Sequence, residues 1–140
     1  MKTKELWRFP VPSAGGIAKN VKLIYPDENA NALLLFDYYD SSTYDVTGHD
    51  EVFNSGILFD MAQAHRHSSE KFTVSLMDAY DRLVEIVDSG WVAELKKINS
   101  QIADFWNIKH YVIFLDSYGL YEFIASDYKI LETKKGFSDE

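Results

Sequence analysis

The chain has 140 residues, and 22 acidic against 14 basic side chains leave it a net charge of −8. That balance argues against nucleic acid, whose phosphates are neutralised by clustered Lys and Arg, and against adsorption to anionic lipid. With no cysteine there is no disulfide, thiolate catalysis or thiolate-held metal, while 46% hydrophobic residues suffice for the core of one domain spanning residues 1–140.

Taken in order, residues 1–22 are basic, with Lys2, Lys4, Arg8, Lys19 and Lys22 against Glu5 alone. No apolar stretch of signal-peptide type follows Met1, and no run approaches the ~20 residues of a membrane span. The expected location is therefore the cytoplasm, with no membrane role. Trp7 and Phe9 predict a short strand stopped by Pro10 and Pro12. Residues 13–16 read as a flexible turn that lacks the Gly-Lys-Ser/Thr ending of a phosphate loop.

Residues 23–65 contain eight acidic residues (Asp27, Glu28, Asp37, Asp40, Asp45, Asp50, Glu51 and Asp60) and no Lys or Arg. Outside this stretch the two signs balance at 14 each, so the whole net charge resides in it. Tyr25, Phe36, Tyr38, Tyr39, Tyr44, Phe53 and Phe59 are interleaved with the acids. A field of one sign steers a basic partner toward such a surface, and desolvated aromatic rings supply affinity. Asp37, Tyr39, Asp40, Tyr44, Asp45, Asp50 and Glu51 are the candidate partner contacts. Strand alternation puts Asp37 and Tyr39 on one face and Phe36 and Tyr38 on the other. The local pattern predicts strands at 21–25 and 32–39, a third short strand at 44–47 and another at 57–64, where a helix fits the pattern as well. Turns are expected at 26–31, 40–42, 48–51 and 54–56, which makes an antiparallel meander.

His65 and His67 would share one face of a strand and, with His49 or an acid, are the candidate metal ligands. No third ligand stands at a telling spacing, so no metal or other cofactor is assigned. A calcium loop begun at Asp45 fails because Gly56 occupies the twelfth position, where a bidentate Glu is needed. Neither a Gly-x-Ser-x-Gly elbow nor the glycine pattern of a dinucleotide fold is present.

A helix is predicted over 75–90. Ser75 and Asp78 would cap it, and Leu76, Ala79, Tyr80, Leu83, Val84, Ile86 and Val87 fall on one arc. Asp78, Asp81, Glu85 and Asp88 form the opposite stripe, and Gly90 sits where a helix closes. A shorter helix follows at 91–98, with Lys96 and Lys97 near its end, and a further turn at 100–106. Residues 109–115 and 120–125 read as a hairpin around a type I turn at 116–119, with Asp first and Gly fourth. The charged tail 133–140 is expected to fray. Strands, then helices, then strands imply an α+β fold: a largely antiparallel sheet with two helices packed on one face, a two-layer sandwich.

The run Trp106…Tyr111-Val-Ile-Phe-Leu-Asp116-Ser-Tyr-Gly119-Leu-Tyr121-Glu122…Ala125 resembles the closing hairpin of small, acidic, uncharacterised bacterial proteins found as toxin-immunity partners. The resemblance covers that hairpin alone, carries no functional motif, and implies an interaction protein. The leading expectation is a non-enzymatic domain whose acidic and aromatic surface binds a basic protein, an immunity-type inhibitor of a basic toxin being one instance. The alternatives are a small metal-dependent enzyme using His65 and His67, or an accessory domain whose acidity serves solubility alone.

Overall fold

The computed structural model describes residues 1–11, 17–42, 44–73 and 77–138. Among them ten strands form two antiparallel sheets. In chain order the strands are β1 (Thr3–Arg8), β2 (Ala18–Ile24), β3 (Ala32–Asp40), β4 (Glu51–Asp60), β5 (Ala64–Ser68), β6 (Arg82–Ile86), β7 (Lys109–Leu115), β8 (Gly119–Ala125), β9 (Asp127–Ile130) and β10 (Lys134–Lys135). The first sheet runs β1-β6-β7-β8-β5; the second runs β10-β4-β3-β2, with β9 also paired to β4. The helices are α1 (Tyr44–Thr47), α2 (Gly90–Ile98) and α3 (Ser100–Trp106). The fold is α+β and antiparallel as expected, with its strands divided between two facing sheets.

Alternation along the strands builds the core between those sheets. Leu34, Phe36 and Tyr38 of β3 and Ile57 and Phe59 of β4 meet Tyr111, Ile113 and Leu115 of β7 and Tyr121 and Phe123 of β8. The intervening residues of β6, β7 and β8 point to the outer face of the first sheet, which is covered too. Ala79 packs there against Val84, Ile86, Val112 and Leu120. Farther along, Trp91, Val92, Leu95, Ala103 and Trp106 of α2 and α3 close over Ile108 and Ile124. Burial on both faces explains why β7 and β8 read as nearly continuous apolar runs. One residue organises the helical pair. Asn99 ends α2 with its N–H on the Leu95 carbonyl, and its side chain caps α3 by accepting the Ile102 N–H at 3.2 Å. No helix among the described residues is long and apolar enough to cross a membrane.

The predicted helix at 75–90 is absent. Met77–Ala79 is a single 3₁₀ turn, Asp81 takes φ +55°, and Arg82–Ile86 is the β6 strand between β1 and β7. Ser75 and Leu76 lie outside the described residues. A strand covered on both faces places apolar residues side by side, which a helical wheel reads as a broad arc. The supposed acidic stripe disperses accordingly: Asp81 is buried, Asp78 accepts the Thr3 hydroxyl at 2.9 Å, and Asp88 accepts the Lys2 N–H at 2.7 Å. Gly90 opens α2 instead of closing a helix. The expected strand at 44–47 is the one-turn α1, and 54–56 lies inside β4. The strand expected over 57–64 stops at Asp60, turns at Met61 with φ +50°, and resumes at Ala64. Gly56 serves close packing in β4, since a Cβ there would stand 2.8 Å from the Leu34 carbonyl oxygen.

At the other end, the tail is held through residue 138. Lys134 and Lys135 pair with Asn54 and Phe53, and the Gly136 N–H donates to the Val52 carbonyl at 2.8 Å. The β7–β8 turn is tied one residue earlier than expected, by the Tyr118 N–H to the Leu115 carbonyl at 2.9 Å. Ser117 has φ +70° there, which a type I turn does not. Gly119 has φ +99°, and a Cβ on it would land on the Ser68 carbonyl of β5. Gly119→Ala combines left-handed strain with a backbone clash, and is expected to cost about 2 kcal/mol, read as a lower urea midpoint.

Candidate functional site

The acidic stretch is divided by the fold. Asp27 and Glu28 lie in the β2–β3 turn and Asp60 ends β4 at the same end, where Ala32 pairs with Phe59. Asp40 and Glu51 are partners at the opposite end, eight strand steps or about 26 Å away. Asp37 belongs to neither group. It is fully buried (0% exposed), accepting the Asn20 side-chain amide at 2.7 Å and the Ser138 N–H at 3.0 Å. It therefore joins β2 and the C-terminal segment to β3 and presents no carboxylate to a partner.

The other six candidates are on or beside one hairpin connection. Tyr39 pairs with Val52 and its ring meets Phe137 edge-on at 6.4 Å. Asp40 accepts the Ser42 N–H at 2.9 Å, while α1 carries Tyr44 and Asp45. Tyr44 is half exposed and Val46 is 89% exposed, so the connection ends in an apolar tip with acids around it. Asp50 and Glu51 line a cleft of about 410 Å³ with His49, Lys135 and Phe137. Lys135 Nζ lies 3.7 Å from Glu51. Among the described residues no ion pair engages Asp40, Asp45 or Asp50.

The histidines do not converge. His65 and His67 share the inner face of β5, but the His65 ring lies against Tyr25 at 4.5 Å and His67 stacks on Tyr121 at 4.1 Å. His67 Nε2 is also 2.6 Å from the Tyr118 carbonyl oxygen. His49 lies in the β3–β4 connection, its Nδ1 3.0 Å from the Thr47 carbonyl oxygen. No group of three His, Asp or Glu placed to hold a metal occurs among the described residues.

A constellation not foreseen in the sequence lies on the outer face of the first sheet, under the N-terminus of α2. His110 of β7 and Glu122 of β8 are buried there, and Ser89 follows β6 as the α2 cap. Ser89 Oγ stands 2.7 Å from His110 Nδ1, and His110 Nε2 stands 2.9 Å from Glu122 Oε1. Arg66, directly across from Glu122 on β5, donates from Nε and Nη2 at 3.0 and 3.1 Å. Its guanidinium lies 4.0 Å above the Trp91 ring, and Trp91 meets His110 edge-on at 5.3 Å.

Protons follow from the donor set. Burial alone would raise the Glu122 pKa, but hydrogen bonds from His110 and Arg66, with the Arg66 charge, hold it below the ordinary 4.5. An ionised carboxylate only accepts, so His110 Nε2–H donates to Glu122, and in the neutral ring Nδ1 accepts the Ser89 hydroxyl. Ser89 Oγ in turn accepts the Val92 N–H at 3.1 Å. The signal for this chain was in the sequence: a His and a Glu inside strands otherwise apolar on both faces must be paired when buried.

Two clefts meet at Ser89 and His110. One, of about 450 Å³, is lined also by Arg66, Gly90, Trp91 and Glu122. The other, of about 460 Å³, is lined also by Val92 and Lys96. A comparison with protein-family models matched none of them, and comparisons with curated proteins and with solved structures returned no match.

Proposed function

We propose that this chain is a protein-binding domain that receives a basic protein at its β3–β4 hairpin end, immunity-type inhibition of a basic toxin being one instance. One observation carries the reading: Tyr39, Asp40, Tyr44, Asp45, Asp50 and Glu51 gather around one connection with the bare side chain of Val46 at its tip. The acids accelerate encounter and repel nucleic acid from the same surface; Tyr44 and Val46 are the groups that lose water on contact. The resemblance of the β7–β8 hairpin to immunity-type proteins supports the same class. A chain without cysteine suits action in the cytoplasm.

Replacing Asp40, Asp45 and Asp50 together with Asn is expected to slow association with the basic partner by ~10-fold at low salt and to leave dissociation nearly unchanged. Val46→Ser with Tyr44→Ala does the reverse. The measurement is surface-immobilised binding kinetics against basic proteins that the wild type captures from its native host. Capture of no basic protein, or association indifferent to both the triple substitution and salt, overturns the reading.

A further inference from the structure

We propose that Ser89 is an activated nucleophile, and that the chain transfers acyl groups from small carboxylic esters to water at the junction of the two clefts. This goes beyond the binding role and is independent of it, since Ser89 lies between β6 and α2, beside the first sheet, while the β3–β4 hairpin belongs to the second. Three features carry it. The Ser89 hydroxyl is bonded to a buried imidazole at 2.7 Å, and that imidazole is oriented by a carboxylate at 2.9 Å, itself locked by Arg66. This is the nucleophile, base and orienting-acid order that acyl transfer needs, with the two ring nitrogens exchanged relative to the usual arrangement. Secondly, Ser89 stands at a strand-to-helix junction, where the N–H groups of Gly90 and Trp91 open α2 and have no partner within the helix. They are the donors for a developing oxyanion. Thirdly, Ser89, although only 9% exposed, lines both clefts, and a Cβ at Gly90 would meet no atom within 4 Å beyond its chain neighbours and its own helix. Clefts of about 450 and 460 Å³ have room for a small ester, its apolar group against Trp91 and Ile86.

The step balances. Ser89 Oγ attacks the ester carbonyl carbon as its proton passes to His110 Nδ1, and the carbonyl π pair becomes the oxyanion. Collapse breaks the bond to the alkoxide, which leaves as the alcohol with the proton from His110. Water, giving a proton to the same Nδ1, then attacks the acyl-serine. The carboxylic acid departs and the hydroxyl is restored. Ser89 and His110 are the catalytic residues; Glu122 and Arg66 are positioning residues.

The test is covalent labelling of the whole chain by a fluorophosphonate, followed by intact mass and peptide mapping, with p-nitrophenyl acetate as turnover probe. The expected result is one adduct on Ser89, lost in Ser89→Ala, formed at least ~100-fold more slowly in His110→Gln and ~10-fold more slowly in Glu122→Gln. Labelling is unchanged in the Asp40, Asp45 and Asp50 triple variant, which separates this site from the binding surface. If the network only ties α2 to the sheet, no adduct forms although Ser89→Ala lowers the melting temperature. Absence of an adduct on wild-type Ser89, or labelling elsewhere that survives Ser89→Ala, overturns the proposal, and mapping of the wild type decides it even where a variant fails to fold.

Discussion

Phe59→Ala is expected to lower stability by about 3–5 kcal/mol, the upper range for a truncated core aromatic. Phe59 is fully buried in β4, and its ring stacks on Phe123 of β8 at 4.0 Å with 14° between planes. That contact joins the two sheets. Tyr111 of β7 closes over the same ring at 5.6 Å. Phe59 pairs with Ala32 of β3 on one side and Tyr128 of β9 on the other, and the small Ala32 side chain cannot fill the space an alanine at 59 would leave. A cavity therefore opens between the sheets, lined by groups that sit on hydrogen-bonded strands and relax little.

A chain of this length is stable by ~7–20 kcal/mol, so the variant still folds and the loss is measurable as a lower urea midpoint at unchanged slope. The cycle with Phe123→Ala is expected to show a coupling of about 0.5–1.5 kcal/mol, the part that belongs to the ring pair and not to either cavity. A loss below ~1 kcal/mol for Phe59→Ala would mean that the sheets are not held together here.

What could be read beforehand divides along physical lines. The β7–β8 hairpin was legible because Lys109–Leu115 and the run after Gly119 are apolar, bounded by Asp116 and Gly119, and paired at short range. The second shorter helix was legible from its own pattern, and the structure adds Ser89 as its cap. The stretch 75–90 was not, since Leu83, Val84 and Ile86 satisfy a helical arc and a doubly buried strand alike. The β-branched residues Val84, Ile86 and Val87 were the arbitrating signal.

Asp37 illustrates a different limit. The sequence pattern offers it as a partner contact, but it is buried with Asn20 and with Ser138, 101 positions away, and no local pattern announces so distant a partner. The same distance kept the docking of the tail out of view. The polar chain from Ser89 to Arg66 draws on β5, β7, β8 and the start of α2. Each member was visible singly; their convergence required the strand order.

Glu122→Ala is the substitution expected to disturb that chain most, costing about 3 kcal/mol at neutral pH. Glu122 has a side chain only 11% exposed, and its removal strands the His110 Nε2–H inside the fold. Leaving one partner of a buried pair alone costs far more than the pair itself contributes. Arg66 adds little to the loss, because its side chain is 54% exposed and turns to water.

The sign of the pH dependence follows from the lowered Glu122 pKa. Near pH 4.5 and below, the unfolded chain takes up a proton at Glu122 that the folded chain still refuses. Stability from this group is thus complete above that pH and is lost as pH falls through the lower folded value. Denaturation followed across the acid range should show a steeper decline in the wild type than in Glu122→Ala or Glu122→Gln. Gln keeps an acceptor for His110 while removing the charge, so Glu122→Gln loses the acid slope at a smaller neutral-pH cost. If both variants decline as steeply as the wild type, another carboxylate governs acid stability, and the tie between Glu122 and His110 is weaker than their 2.9 Å separation implies.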